Sequence, residues 1–265
     1  MNAAVRTVKA KTTAARSSAR NEQVINQRAR AYQGFTQQIL SGKIRSGQFV
    51  SQRELMTLLD MPLAAVREMI PRLEAGGLIK TVPQRGLQIA HVDLKLIRNA
   101  FQVRTLIERE AVQHFVHMAS DSELQAIEAS HQDILNRASA LSQPRAADVN
   151  LLDDAQAVDW GLHDRMVDAM GNDILSEIYR VNSLRVRLIK LEHSVITPAR
   201  LIPAMQEHLR FIAALLRRDA LEATRLLDEH INSARNRVMT APLEQVRSEW
   251  EPSSTPQPQG KPSES

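Results

Sequence analysis

The stretch from Tyr32 to Val92 constrains this chain most, because distinct local patterns succeed one another there without a gap. An amphipathic run, Tyr32 to Leu40, is broken by the glycines of Ser41-Gly42-Lys43-Ile44-Arg45-Ser46-Gly47. Ser51 with Glu54 three residues on has the spacing of a capping box, and Leu55, Leu58 and Leu59 give the short helix behind it one apolar face. A third helical run, Leu63 to Ala75, follows Asp60-Met61-Pro62. Proline suits the first helical position, and Gly76-Gly77 suit the end. Two β-rich runs joined by Pro83-Gln84-Arg85-Gly86 then predict a hairpin. Three short helices and a basic-tipped hairpin are the parts of a winged helix-turn-helix, a module that puts a helix into the major groove of DNA.

Charge agrees with that division. The net charge is +4, but residues 1–30 hold seven Lys and Arg against Glu22 alone. Residues 31–92 hold seven against four acids, so the rest of the chain is net acidic. A polyanion is expected to bind the first part and to be repelled by the second. Aromatics are only 3% of the chain, which argues against base stacking on exposed rings. The absence of cysteine removes disulfides and thiolate metal sites and fits the cytoplasm. No apolar run is long enough to span a membrane, and the N-terminus lacks the apolar core of a signal peptide.

The expected fold class is mostly α: a winged helix-turn-helix over residues 26–92, then an all-α antiparallel helical bundle over residues 93–240. A basic tail, 1–25, and a proline-rich tail, 251–265, are expected to be disordered. Six helices are predicted in the bundle, beginning near Leu94, Asp121, Leu151, Ile174, Pro198 and just after Arg218-Asp219.

Within the bundle, four residues have agreeing spacings. Asp159 and His163 are four apart and share a helical face. His208 and His230 are equidistant from the turn at Asp219, so an antiparallel hairpin brings them level. One carboxylate and three imidazoles suit a divalent metal: Zn²⁺ first, with Ni²⁺ or Mn²⁺ as alternatives. His91, His114, His117, His131 and His193 have no matching spacing and are left out.

The N-terminal module resembles the GntR family of bacterial transcription regulators. The resemblance is carried by Ser46-Gly47, Glu54-Leu55, Val66-Arg67-Glu68, Arg72-Leu73-Glu74, Gly77-Leu78-Ile79 and Arg85-Gly86. It implies that Arg53, Arg67, Gln84, Arg85 and Gly86 lie at the DNA, where arginine offers a fork of donors to guanine edges or phosphates. Two positions depart from the family. Pro62-Leu63 replaces a Ser-Arg pair, removing one arginine contact, and Pro71 is expected to kink the third helix. The helical part resembles the FCD effector domain in Asp159-Trp-Gly-Leu-His163, Glu207-His208, His230, Arg104-Thr-Leu-Ile-Glu108 and Gly171-Asn172; Leu162 stands where the family usually has Phe. That resemblance implies that Arg104 points into a cavity and holds an effector carboxylate; pairing with Glu108 along its own helix is the plainer alternative.

Together these readings predict a cytoplasmic, homodimeric repressor. It binds double-stranded operator DNA and is controlled by a small carboxylate held near a metal. The rival is a metal-dependent hydrolase with a DNA-binding appendage. That enzyme needs a general base, and Glu207, next to His208, is expected to point about 100° away from it.

Overall fold

The computed structural model describes residues 30–39, 41–140, 149–193 and 198–240. Both tails expected to be disordered lie outside these residues.

The first helix, α1, covers described residues 30–39 and buries Ala31, Phe35 and Ile39 at four-residue spacing. Strand β1 is Phe49–Val50, helix α2 is Gln52–Leu59 and helix α3 is Leu63–Ala75. Ser51 and Glu54 form the full capping box: the Ser51 side chain accepts from the Glu54 amide, and a Glu54 carboxylate oxygen accepts from the Ser51 amide at 2.6 Å. Pro62 is the N-cap of α3 and lies outside its first turn; its ψ of 152° is extended. Helix α3 runs on through Pro71. Pro71 and Arg67, whose carbonyl loses its donor there, are both exposed, so that side of the helix meets solvent. Gly77 has φ +62°, a turn that favours glycine, and it leads into β2, Ile79–Val82, and β3, Gly86–Ile89. The sheet order is β1-β3-β2, all antiparallel, with Val50 opposite Leu87 and Lys80 opposite Gln88.

Six helices follow: α4 (Leu94–Met118), α5 (Asp121–Ser139), α6 (Val149–Asp168), α7 (Asp173–His193), α8 (Pro198–Leu216) and α9 (Ala220–Thr240). Asp93 caps α4 by accepting from the Leu96 amide, and Ser120 caps α5 by accepting from the Glu123 amide. α5 packs along α8, α4 along α9 and α7, and α6 against α4, α5 and α7. The α8–α9 turn is fixed by Arg218, whose guanidinium donates to the Val116 and Ala119 carbonyls at the end of α4.

The two parts meet where the end of α3 lies against α7. Arg72 pairs with Glu177 at 3.0 Å and stacks over the Tyr32 ring. Arg185 donates to the Gly76 carbonyl. A Cβ on Gly76 would come within 2.9 Å of Val181 Cγ1. No helix among the described residues is long and apolar enough to cross a membrane.

Candidate metal centre and nucleic-acid interface

Every bundle helix sends at least one side chain to a single buried cluster. Asp159 and His163 come from α6, His208 from α8 and His230 from α9; one ligand atom from each lies within 4.8 Å of all the others. His208 Nε2 is 3.1 Å from Asp159 Oδ1 and 3.2 Å from His230 Nε2. The three rings are no more than 3% exposed. The hairpin register fixed by Arg218 therefore brings level two histidines that are 22 positions apart.

The outward nitrogen of each ring is also engaged. His163 Nδ1 donates to Glu108 Oε2 at 2.7 Å, and His230 Nδ1 donates to Glu207 Oε2 at 2.9 Å. His208 Nδ1 is 3.2 Å from Nε2 of His131, on α5. His131 Nδ1 lies 2.7 Å from the Ile127 carbonyl, which can only accept, so that nitrogen carries the proton and Nε2 accepts from His208. Asp159 directs its second oxygen to Lys190 Nζ at 3.3 Å. Each of the four candidate ligands thus has an outer partner that fixes its orientation, the arrangement that metal-ligating histidines need.

Counting protons shows what the cluster could hold. With Nδ1–H turned outward on all three rings, three Nε2 lone pairs and one carboxylate oxygen face inward. Burial, then the charge of Arg104, hold His163 well below the usual histidine range. Burial, then His230, do the same for His208. His230 is pushed down to about 3 by burial, with Arg104 adding to it. Burial alone would raise the Asp159 carboxyl, but Lys190 and the three histidines hold it well below the carboxylate range. Neutral imidazoles and an ionised carboxylate are the protonation states a divalent cation takes as ligands. The 3.1 and 3.2 Å separations suit atoms bound to one centre at about 2.0–2.2 Å.

Arg104 and Glu108 also lie in the cluster. Arg104 is 1% exposed; its Nε donates to Glu108 Oε1 at 2.7 Å and its Nη2 donates to His163 Nε2 at 2.7 Å. Arg104 thus meets the plainer of its two expectations, pairing with Glu108 along α4, and it also reaches the histidine cluster. Tyr179 donates to Glu108 Oε1 at 2.6 Å. A cavity of about 340 Å³ lies on the outer side of His230, lined by Glu207, Arg210, Asn232, Ser233 and Asn236.

One sequence reading needs correction here, and one is extended. His131 had no matching spacing, yet it is buried and joined to His208. Its signal was a histidine on the apolar face of α5, one turn from Ile134. Glu207 does turn away from its neighbour His208, as expected, but it lands on His230 of the facing helix. Glu207 and Glu108 are thus both bound to histidines, and neither is placed as a general base.

On the winged helix, Arg53, Arg67, Gln84 and Arg85 are all exposed. Arg67 Nε donates to Gln52 Oε1 at 3.1 Å, which joins α3 to α2. Arg85 lies over the Phe49 ring, 4.0 Å from its centre. Gln84 and Gly86 both have positive φ, 62° and 91°, and make the tight wing turn. The close backbone approach at Gly86 is to the Val50 carbonyl of β1, 2.9 Å from where a Cβ would stand. Arg72 is drawn off to Glu177 on α7.

Comparisons with known proteins agree with this architecture. The FCD domain profile matches residues 99–233, and the profile of bacterial regulatory proteins of the gntR family matches residues 27–89. The HTH-type transcriptional repressor RspR of Escherichia coli K12 is 24% identical over 232 residues, covering 86% of this chain and 94% of its own. The HTH-type transcriptional regulator BphR of Paraburkholderia xenovorans is 27% identical, covering 77% and 81%. Among solved structures, E. coli McbR/YncC shares the fold with a TM-score of 0.66 at 18% identity, covering 80% of this chain and 97% of its own. The relatives are named as transcription regulators, so the hydrolase alternative falls. The chain belongs to the GntR family of bacterial regulatory proteins, as a transcription regulator whose helical part is an FCD domain.

Proposed function

We propose that this regulator is a cytoplasmic homodimeric repressor whose grip on a palindromic operator is set by a small carboxylate bound beside a divalent metal. Asp159, His163, His208 and His230 hold the metal. Zinc suits the three imidazoles and one carboxylate best, with nickel or manganese as alternatives. The metal supplies a fixed positive charge for the effector, and Arg104 supplies the directional donors. Arg53, Arg67, Gln84, Arg85 and Gly86 meet the DNA. Residues 26–92 form the DNA-binding unit and residues 93–240 the effector-binding and dimerising unit.

The observation that carries this reading is the set of outer partners. Glu108, His131, Glu207 and Lys190 orient four ligand atoms onto one point. Any buried imidazole needs a hydrogen-bond partner; what favours a metal is that the partnered groups leave four ligand atoms within 4.8 Å of one another. Two-fold pairing is favoured because one winged helix reads few base pairs. Leu106 on α4 and Ile174 on α7 are large apolar side chains left 66% and 73% exposed, which a second copy would cover. Repression is favoured by the name of the relative RspR.

The test is elemental analysis of the purified chain beside gel shifts on an inverted repeat. His208→Ala and His230→Ala are expected to lose the metal and the effector response while still binding operator. Full metal content in His208→Ala would remove the site assignment. A monomer in light scattering, with and without operator, would remove the dimer. Thermal-shift screening against carboxylic acids identifies the effector.

A further inference from the structure

The Arg104 guanidinium stands on the lone pair that His163 would give to a metal. A guanidinium carries donors only and stays protonated in proteins, so His163 Nε2, 2.7 Å from Nη2, is the acceptor. The other ring nitrogen of His163 donates to Glu108. The ring therefore has one lone pair, and Arg104 takes it. Ligation by the same nitrogen puts a cation at about 2.0–2.1 Å along the same direction. The guanidinium nitrogen, at 2.7 Å, leaves no room for that cation and repels it.

A second observation concerns the remaining nitrogen. Arg104 Nη1 is buried and has no hydrogen-bond partner among the described residues. Arg104 is fully enclosed, so this donor is shut off from solvent as well. Nε is held by Glu108, and that bond uses neither Nη1 nor Nη2. A carboxylate meeting Nη1 and Nη2 together makes a bidentate pair, the arrangement arginine favours.

Building on the metal and carboxylate reading proposed above, we infer that Arg104 and the metal exclude one another at His163, and that the guanidinium freed from His163 is the carboxylate receptor. The two ligands then help each other. A carboxylate that draws Arg104 away from His163 strengthens metal binding, and by linkage the metal strengthens carboxylate binding by the same factor. A neutral ligand of the same size cannot do this, so the device selects anions.

The experiment measures the zinc dissociation constant of the full chain by competition with a chromophoric chelator, for wild type and Arg104→Met, with and without acetate. Arg104→Met is expected to bind zinc on the order of ten-fold tighter or more, because a charge-assisted hydrogen bond to the ligand is gone. Acetate is expected to tighten zinc binding by wild type and to leave Arg104→Met unchanged. Equal or weaker zinc binding by Arg104→Met overturns the inference, and so does a wild-type zinc affinity indifferent to acetate. If Arg104→Met does not fold, wild type labelled with ¹⁵N at arginine and histidine decides. The scalar coupling across the bond from Arg104 Nη2 to His163 Nε2 is expected in chelator-treated protein and lost with stoichiometric zinc. Persistence of that coupling in zinc-bound protein overturns the inference. Failure of wild type to take up any zinc overturns the underlying metal reading instead, a different result.

Discussion

His131 Nε2 lies 3.2 Å from His208 Nδ1, while Asp159 lies 3.1 Å from the other nitrogen of the same ring. A neutral imidazole thus does for His208 what carboxylates do for His163 and His230. Loss of an outer partner typically costs 10–100-fold in metal affinity, so His131→Ala is expected to weaken zinc binding by about that factor. His131→Gln, whose amide oxygen can accept from His208, is expected to recover part of it. His117→Ala, on the exposed side of α4, serves as the comparator. Chelator competition measures all three, and an unchanged His131→Ala reduces His131 to a packing residue.

Glu207 has the matching role at His230. Glu207→Leu removes the acceptor and is expected to loosen zinc binding by roughly 10–100-fold; Glu207→Gln keeps an acceptor oxygen and is expected to lose much less. Equal losses in the two variants would mean that the charge of Glu207 matters and its hydrogen bond does not.

At the DNA, Arg67→Ala is expected to cost about 1–3 kcal/mol on the operator and far less on random sequence. Arg72→Ala is expected to leave operator selectivity alone, since its guanidinium is committed to Glu177. Fluorescence anisotropy on both DNAs at two salt concentrations separates the cases. An equal loss on operator and random DNA would make Arg67 a phosphate contact.

Acid should weaken the metal-free protein through the buried rings. His163, His208 and His230 titrate near 6.5 when unfolded, but burial holds them neutral in the fold to far lower pH, about 3 for His230. Below about 6.5 the unfolded chain therefore binds more protons than the folded one, and stability falls as pH falls. Above about 7 both states are neutral and the effect is absent. The slope is up to roughly 1.4 kcal/mol per pH unit for each ring. Urea midpoints of chelator-treated protein at several pH values between 7.5 and 5 check this; a flat series would refute it.

Gly76 gives a steric test of the contact between the two parts. Its φ of −73° suits any residue, but a Cβ there would meet Val181 Cγ1 at 2.9 Å. Gly76→Val is expected to destabilise the chain by about 1–3 kcal/mol in urea unfolding. Gly76→Val paired with Val181→Ala is expected to recover much of that loss. No recovery would locate the strain elsewhere.

The four candidate ligands were legible in the sequence because their relations are local: four residues along one helix, and equal distances from one turn. His131 was not, because its partner lies on α8 and only helix packing joins the two. The same holds for Lys190 and Tyr179, on a helix whose placement no short-range spacing encodes. In the winged helix, capping and turn chemistry located α2, α3 and the hairpin, whereas β1 is two residues long and too short to show an alternating pattern. In the sequence Arg72 is only part of the Arg72-Leu73-Glu74 motif. Its partner, Glu177, lies over a hundred positions away, on a helix of the other part.

Helix α7 turns Glu177, Val181 and Arg185 toward the end of α3, and Tyr179 and Lys190 toward the buried cluster. A helix of 21 residues is a stiff rod about 32 Å long. On the proposed function, a pull on Glu108 or Asp159 is expected to reach the docked end of α3 without passing through the peptide that joins the two halves of the chain. The sequence divides into two modules, but one helix touches both. A chimaera grafting this bundle onto a winged helix that lacks partners for Glu177 and Arg185 is expected to keep the two proposed binding activities and to lose the coupling between them.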